Sequence, residues 1–320
     1  MLALHLDGKI ELKEVPQSLP GPGEVLIRVN LAGICGTDLE VLRGYHDFRG
    51  ILGHEFVGVV AGPPDNPRLG RRVVGEINVA CGRCDLCLQG LGRHCRERGV
   101  LGLKGKDGAF AHYLALPEAN LHEVAPGVDD AAAVFTEPLA AALGVLQVAP
   151  PDHGDRVLVV GDGCLGLLIS WVLALQGLEV HLAGHHPENL NLARPYGVLP
   201  FLEKDLPPGD YSMVVEASGA PGGLDLALAR VRPRGLVVLK STYLGAFPLD
   251  PARVVVPEVL LGGSRCGPFP PALRLLERGW VDPRPLISHT LPLVRGLEAL
   301  ELAGGPGVLK VLLDCGAEET

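Results

Sequence analysis

Between residues 137 and 264 the chain alternates short apolar runs with helix-patterned stretches. One join carries Gly161-x-Gly163-x-x-Gly166 directly after Val157-Leu158-Val159-Val160. A glycine pattern of this kind acquires meaning only when a strand feeds it and a helix leaves it, and both patterns are present. Strand candidates run over 156–160, 179–183, 213–217 and 236–240, and helix candidates over 165–176, 187–194 and 222–230. Parallel strands need crossovers long enough to hold a helix, so this alternation predicts an α/β unit with a doubly wound parallel sheet. The glycines permit a tight turn, close approach of a pyrophosphate and close helix–strand packing, and the helix N-terminus then faces the phosphates. Gly161, Gly163, Cys164, Leu165 and Gly166 are therefore candidate cofactor contacts, with Ser218 at the end of a later strand.

In such a unit an acidic residue about 20 positions on, at the end of the second strand, holds the ribose 2′-hydroxyl of NAD. The chain reads His181-Leu182-Ala183-Gly184-His185-His186 there, with no Asp or Glu. Gly184 leaves space, and His185 and His186 offer donors to a 2′-phosphate, more strongly when protonated. This pattern favours NADP over NAD.

Four of the eight cysteines, Cys81, Cys84, Cys87 and Cys95, follow the spacing Cys-x2-Cys-x2-Cys-x7-Cys. Thiolates favour zinc, and four of them close a tetrahedral site. Gly82, Gly90 and Gly92 let the segment wrap a small ion. A closed site has no position for a substrate, so this one is structural. A second set is Cys35-Gly36-Thr37-Asp38 with Gly53-His54-Glu55. Catalytic zinc keeps three protein ligands and one open position. Cys35 and His54 supply two suitable ligands, and Asp38 is placed to take the other ring N–H of His54 and fix its tautomer.

The rest of the chain frames these sites. Residues 1 to about 135 are β-rich, with strand candidates at 24–30, 56–61, 72–74 and 109–116, which suggests a partly open barrel. A helix signal begins at Glu137-Pro138, with Pro at the first helical position. After about 264 come helices over 271–278 and 294–302 and a last strand over 308–313. Two domains suit 320 residues of which 47% are hydrophobic and 20% charged. A net charge of −9 without a Lys/Arg stripe excludes a nucleic-acid partner. The start lacks a signal-peptide core, being broken by His5, Asp7 and Lys9. The apolar stretch 165–178 is too short to span a bilayer. Cysteines clustered as metal ligands suit a reducing compartment, so a cytosolic protein without a membrane partner is expected.

Taken in order, Cys-Gly-Thr-Asp, Gly-His-Glu, the four-cysteine lobe and the glycine loop resemble the zinc-containing medium-chain alcohol dehydrogenase family. The resemblance covers nearly the whole chain, from Pro22-Gly23-Glu24-Val25 to the last strand. It implies a GroES-like barrel domain over 1–137 and 264–320, a structural zinc lobe at about 80–96, and an inserted Rossmann domain over 138–263, with the active site in the cleft between them. Cys35 and His54 then match catalytic zinc ligands. Glu137, in Phe135-Thr136-Glu137-Pro138-Leu139, matches the third ligand in its Glu version, found in polyol, threonine and sugar dehydrogenases. Glu55 matches a residue that approaches the metal in some members, and Thr37 matches the hydroxyl that passes the substrate proton. Many members carry a relay His five residues after the first ligand, where this chain has Glu40, and His46 stands nearby in sequence.

The resemblance thus implies a zinc- and NAD(P)-dependent oxidoreductase moving a hydride between an alcohol, polyol or sugar hydroxyl and the nicotinamide. Zinc would lower the pKa of the alcohol and Thr37 would take its proton. A homodimer or homotetramer is expected, with the apolar strand candidate Val254–Val256 pairing across subunits. Two other readings of the same fold are a zinc-independent quinone or enoyl reductase and a catalytically inactive nucleotide sensor. The full ligand set and Thr37 argue against both.

Overall fold

The computed structural model describes residues 1–45, 47–148, 150, 155–242, 245–247 and 249–316. His46 lies outside them. The chain forms two compact units, Met1–Glu137 with Phe269–Thr320, and Pro138–Pro268. The return to the first unit thus begins at Phe269 rather than at 264. Residues after the last strand of the second unit stay bound to it: Lys240 Nζ donates to the Arg265 carbonyl at 2.8 Å and lies 3.4 Å from Ser264 Oγ.

The first unit is built on the long strand Glu24–Ile34. It pairs antiparallel with Glu55–Gly62, Tyr113–Pro117 and Lys310–Asp314. The sheet continues through Arg72–Gly75 and Leu121–Glu123 on one side and Ile287–Pro292 on the other. A smaller sheet joins the hairpin Leu2–Asp7 and Lys9–Glu14 to Gly50–Ile51. Alternating residues of the long strand, among them Val25, Ile27 and Val29, are buried, which is the period-2 pattern expected of a strand with one face on a core.

The expected strand over 109–116 begins only at Tyr113. Ahead of it, the Ala109 and Phe110 N–H groups donate to the carbonyls of Gly53 and Leu52, and this segment packs the Phe110 ring against Gly53. Gly53 has φ +97°, and a Cβ there would lie 2.3 Å from that ring. The residue before His54 therefore has to be glycine on both counts.

The second unit is a six-stranded sheet paired in parallel throughout. Its strands lie in the order Leu199–Leu202, Glu179–Gly184, Arg156–Val160, Tyr211–Glu216, Val231–Leu239, Leu260–Gly263. In chain order this is 3-2-1-4-5-6, the doubly wound arrangement that binds dinucleotides where the order reverses. The helix Cys164–Ala174 follows the first strand, and its residues 166–173 are all buried. A helix apolar all round belongs to the interior of a large fold.

One expectation needs correction. Val254–Val256 is not a strand: residues Ala252–Val255 form a short helix. Asp250 Oδ1 accepts from the Ala252 N–H, and the Val254 and Val255 N–H groups donate to the Pro251 carbonyl, so the segment turns as a short helix and no ladder forms. Residues 130–148, which form the helices Asp130–Ala133, Thr136–Leu143 and Val145–Val148, are together long and apolar enough to cross a membrane by length and composition, but 61% of their most apolar window is buried within the protein.

Candidate active site and metal centres

In the first unit, the end of Glu24–Ile34 delivers Cys35 to the start of the helix Gly36–Leu42. The Cys35 N–H donates to Asp38 Oδ2 at 2.9 Å, which ties the turn. Asp38 is fully buried, and its other oxygen lies 3.2 Å from His54 Nδ1. That contact fixes the ring of His54, itself 3% exposed, and leaves Nε2 as its free ligand nitrogen. Burial disfavours a charged ring, but the Asp38 carboxylate and the Cys35 sulfur outweigh it, so the proton affinity of His54 is well above its ordinary value. The same negative surroundings favour a divalent cation. Thr37 Oγ1 lies 3.8 Å from Cys35 Sγ.

Ligand atoms of Cys35, His54 and Glu55 all lie within 4.8 Å of one another. Glu55 is 1% exposed. Its Oε2 accepts from Lys310 Nζ at 2.6 Å, while its Oε1 has no hydrogen-bond partner. A buried carboxylate oxygen without a partner is costly unless a cation or donor meets it, so the donor set suits zinc. Gly33 completes the cradle, because a Cβ there would lie 2.4 Å from Glu55 Oε2. Lys310 also donates to the Ile34 carbonyl at 3.2 Å and lies 5.9 Å from the centre of the Phe135 ring. Glu137 stands in the first turn of the helix Thr136–Leu143, outside this 4.8 Å cluster. Glu40, at the position of the usual relay His, forms an ion pair with Arg43 at 2.5 Å.

The four-cysteine lobe stands between the strands Asn78–Val79 and Gly99–Leu101. Its sulfurs lie 3.4 Å (Cys84–Cys87), 3.8 Å (Cys84–Cys95) and 3.9 Å (Cys81–Cys87) apart. A tetrahedron with spokes of about 2.3 Å has edges of about 3.8 Å, so the four sulfurs fit a zinc ion. Backbone N–H groups of Arg83 and Cys84 hold the Cys81 thiol below its usual range, and that of Cys87 brings Cys84 down to about 7. Desolvation and the neighbouring Cys84 sulfur push Cys87 up to about 12. Four thiolates this close need a cation between them. All eight cysteines are free of disulfides.

In the second unit, the glycine loop follows Arg156–Val160. Gly161 has φ +115°, and a Cβ there would lie 2.6 Å from the Ala217 carbonyl oxygen. A Cβ on Gly166 would lie 1.9 Å from the Gly161 carbonyl oxygen. Gly163, in contrast, is exposed with nothing near its missing side chain. The loop is thus closed against the protein at its first and third glycines and open at its second, where a phosphate would approach the helix N-terminus. Cys164 and Leu165, the first residues of that helix, are half-buried. Ser218 donates to Glu216 Oε1 through both Oγ (2.6 Å) and N–H (2.9 Å).

The end of the second strand differs from expectation. The space beside Gly184 is filled by Asp162, the residue between the first two glycines: a Cβ on Gly184 would lie 2.4 Å from Asp162 Cβ and Cγ. Asp162 Oδ2 accepts from the N–H groups of His185 (3.1 Å) and His186 (2.6 Å), and the His186 ring lies 3.2 Å from the same oxygen. His185 Nε2 lies 3.2 Å from Glu203 Oε2. Asp162 and Lys310 are the two site residues that sequence reasoning overlooks. The readable signal for Lys310 is a lone cation inside the apolar strand candidate 308–313.

Residues 21–126 match the alcohol dehydrogenase GroES-like domain. Over 275 residues the chain is 34% identical to an L-threonine 3-dehydrogenase of Streptomyces avermitilis, covering 79% of each chain. The chain belongs to the zinc-containing medium-chain alcohol dehydrogenase family. Among solved structures, the dehydrogenase resembles RspB of Escherichia coli CFT073 complexed with NADH, with a TM-score of 0.88, 28% identity and 98% of both chains covered. A Sinorhizobium meliloti 1021 protein solved with NADP bound gives the same TM-score and coverage at 26% identity. This dehydrogenase is an NAD(P)-dependent oxidoreductase of the zinc alcohol dehydrogenase type, with a GroES-like unit and a Rossmann-type parallel sheet.

Proposed function

We propose that the dehydrogenase oxidises a secondary hydroxyl of a polyol, sugar or amino alcohol, with Cys35, His54 and Glu137 holding the catalytic zinc and Cys81, Cys84, Cys87 and Cys95 a structural one. The observation that carries this reading is the set of half-buried Cys35 with buried His54 and Glu55, whose ligand atoms lie within 4.8 Å, with one Glu55 oxygen unpartnered. Glu137 enters as third ligand from the family resemblance, and the similarity to a threonine dehydrogenase supports a substrate bearing neighbouring polar groups.

When bound, zinc supplies a Lewis acid that lowers the pKa of the substrate hydroxyl. The chain's own residues do the rest. Asp38 holds the His54 ring in one tautomer. Thr37 accepts the hydroxyl proton and passes it towards solvent. Glu137 completes the ligand set, while Glu55, held by Lys310, keeps a second carboxylate oxygen facing the site. Gly161, Gly163, Cys164, Leu165, Gly166 and Ser218 would hold the dinucleotide, whose nicotinamide would supply the hydride acceptor when bound. Gly184, His185 and His186, on which the sequence-based NADP expectation rests, stand beside Asp162 at the end of the second strand. Reduced cysteines support a cytosolic enzyme, and a homodimer or homotetramer is the expected assembly.

The test is zinc content with turnover on a panel of polyols, sugar alcohols, amino alcohols and simple alcohols. Two zincs per chain and reduced-cofactor formation on the polar substrates are expected. Turnover left intact in Cys35→Ala or His54→Ala would overturn the reading. Tight cofactor binding without turnover of any alcohol would identify a nucleotide sensor instead.

A further inference from the structure

We infer that Asp162 makes the cofactor site selective for NAD over NADP, acting as a resident anion at the position where a 2′-phosphate would bind. The inference rests on the dinucleotide-binding reading of the glycine loop and reverses the preference expected from the sequence.

An anion at the end of the second strand needs backbone N–H groups and cationic side chains to receive it. Here both available N–H groups, those of His185 and His186, already donate to Asp162 Oδ2. The His186 ring is turned to the same carboxylate, and the His185 ring faces Glu203. The residues expected to greet a phosphate are thus engaged by two carboxylates of the chain itself. Gly184 has no Cβ, which in sequence reads as room for a ligand, but Asp162 Cβ and Cγ occupy that room. The arrangement is fixed from both sides, since the Gly161 N–H donates to the Ala183 carbonyl at 2.8 Å and Asp162 is only 6% exposed.

A carboxylate accepts hydrogen bonds and cannot donate them. Two N–H donors leave it with acceptor capacity for ribose hydroxyls, which is the role the acidic residue at the end of the second strand fills in NAD-binding units. A 2′-phosphate brought to the same place meets the like charge of Asp162 and backbone N–H groups that already donate to it, and such juxtapositions are strongly discriminating. The acidic residue is therefore present, but it enters from the glycine loop rather than from the strand.

Fluorescence titration with NADH and NADPH tests the proposal on the full-length protein. Adenosine 5′-monophosphate and adenosine 2′,5′-bisphosphate serve as competitors that report the adenosine site without the nicotinamide. Wild type is expected to bind NADH at least about 30-fold more tightly than NADPH. Asp162→Asn, which keeps the shape and one acceptor oxygen, is expected to reduce that ratio about tenfold, and Asp162→Ala to remove it. Unchanged thermal midpoints and zinc content establish that the variants are folded. A wild-type preference for NADPH overturns the proposal even if neither variant folds. So does an unchanged ratio in folded Asp162→Asn. Wild type that binds neither dinucleotide overturns the dinucleotide reading itself, a result distinct from binding without discrimination.

Discussion

Lys310 Nζ donates to Glu55 Oε2 at 2.6 Å across 255 residues of sequence. Both side chains are almost wholly buried, at 4% and 1% exposure. Removing one member of such a pair strands a charge, at a cost of about 3–5 kcal/mol. Lys310→Met is therefore expected to lower the thermal midpoint by roughly 10 °C. The double variant Lys310→Met/Glu55→Gln, which neutralises both, should recover much of that loss. Calorimetry of the single and double variants checks it. Equal midpoints for wild type and Lys310→Met would mean that Glu55 finds another cation.

Asp38 acts on the metal only through His54, by the 3.2 Å contact to Nδ1. Asp38→Asn keeps the shape but weakens the hold on the ring's tautomer, and changes of this kind cost about 10–100-fold in metal affinity or activity. The expected result is faster loss of one zinc to a chelator and a matching fall in kcat, with cofactor affinity unchanged. Loss of cofactor affinity instead would point to misfolding.

The two zinc sites separate in the same assay. Cys95 is buried among the other three sulfurs of the lobe. Cys95→Ser is expected to reduce the metal content by one zinc per chain and to make residues 81–95 sensitive to protease, since a structural zinc contributes directly to folding. The remaining zinc should follow Cys35 and His54, so His54→Ala in the Cys95→Ser background should leave none.

The glycine loop, the strand before it and the cysteine spacing were legible because each is local: the pattern and its chemistry lie in one short segment. The six-stranded order was implied by alternation, although the strands Leu199–Leu202 and Leu260–Gly263 carry too little periodicity to be seen in advance. The opening hairpin Leu2–Asp7 and Lys9–Glu14 was hidden by its charges, which sit on the exposed side of a strand. Lys310 and Asp162 escaped for a different reason. Their partners, Glu55 and the N–H groups of His185 and His186, are brought to them by tertiary structure, and no spacing rule links them. Gly184 shows the hazard in reverse, because an absent side chain in sequence does not say what fills its place.

Glu24 offers a pH-dependent test remote from the metal. Its carboxylate receives Lys106 Nζ at 2.5 Å and the Gly21 N–H at 3.1 Å. Partial burial alone would raise its pKa, but these donors outweigh it and hold the carboxyl below the usual range. A carboxyl whose folded pKa is depressed stabilises the fold above its unfolded pKa and loses that contribution as pH falls through the folded value. Glu24→Gln is thus expected to lower stability by about 1 kcal/mol or less near neutral pH. Wild type and variant should begin to converge as pH falls to about 4, where the unfolded carboxyl protonates, and meet once pH has fallen below the depressed folded value. Denaturation curves at a series of pH values check this, and a difference that grows on acidification would contradict it.

Gly166 tests how tightly the nucleotide loop is closed. A Cβ at this position would lie 1.9 Å from the Gly161 carbonyl oxygen, a backbone atom that cannot swing aside. Gly166→Ala must push the helix Cys164–Ala174 away from the turn, and overpacking of this kind costs about 1–3 kcal/mol. Because the helix N-terminus is what meets the phosphates, the same displacement should weaken both NADH and NADPH. Gly163→Ala is the contrasting case. No atom of the protein lies near its missing side chain, so stability should be nearly unchanged while dinucleotide affinity falls, the added methyl standing where the pyrophosphate approaches. Paired thermal and cofactor-binding measurements on the two variants separate packing from ligand contact. Equal loss of stability in both would show that Gly163, too, is needed by the fold itself.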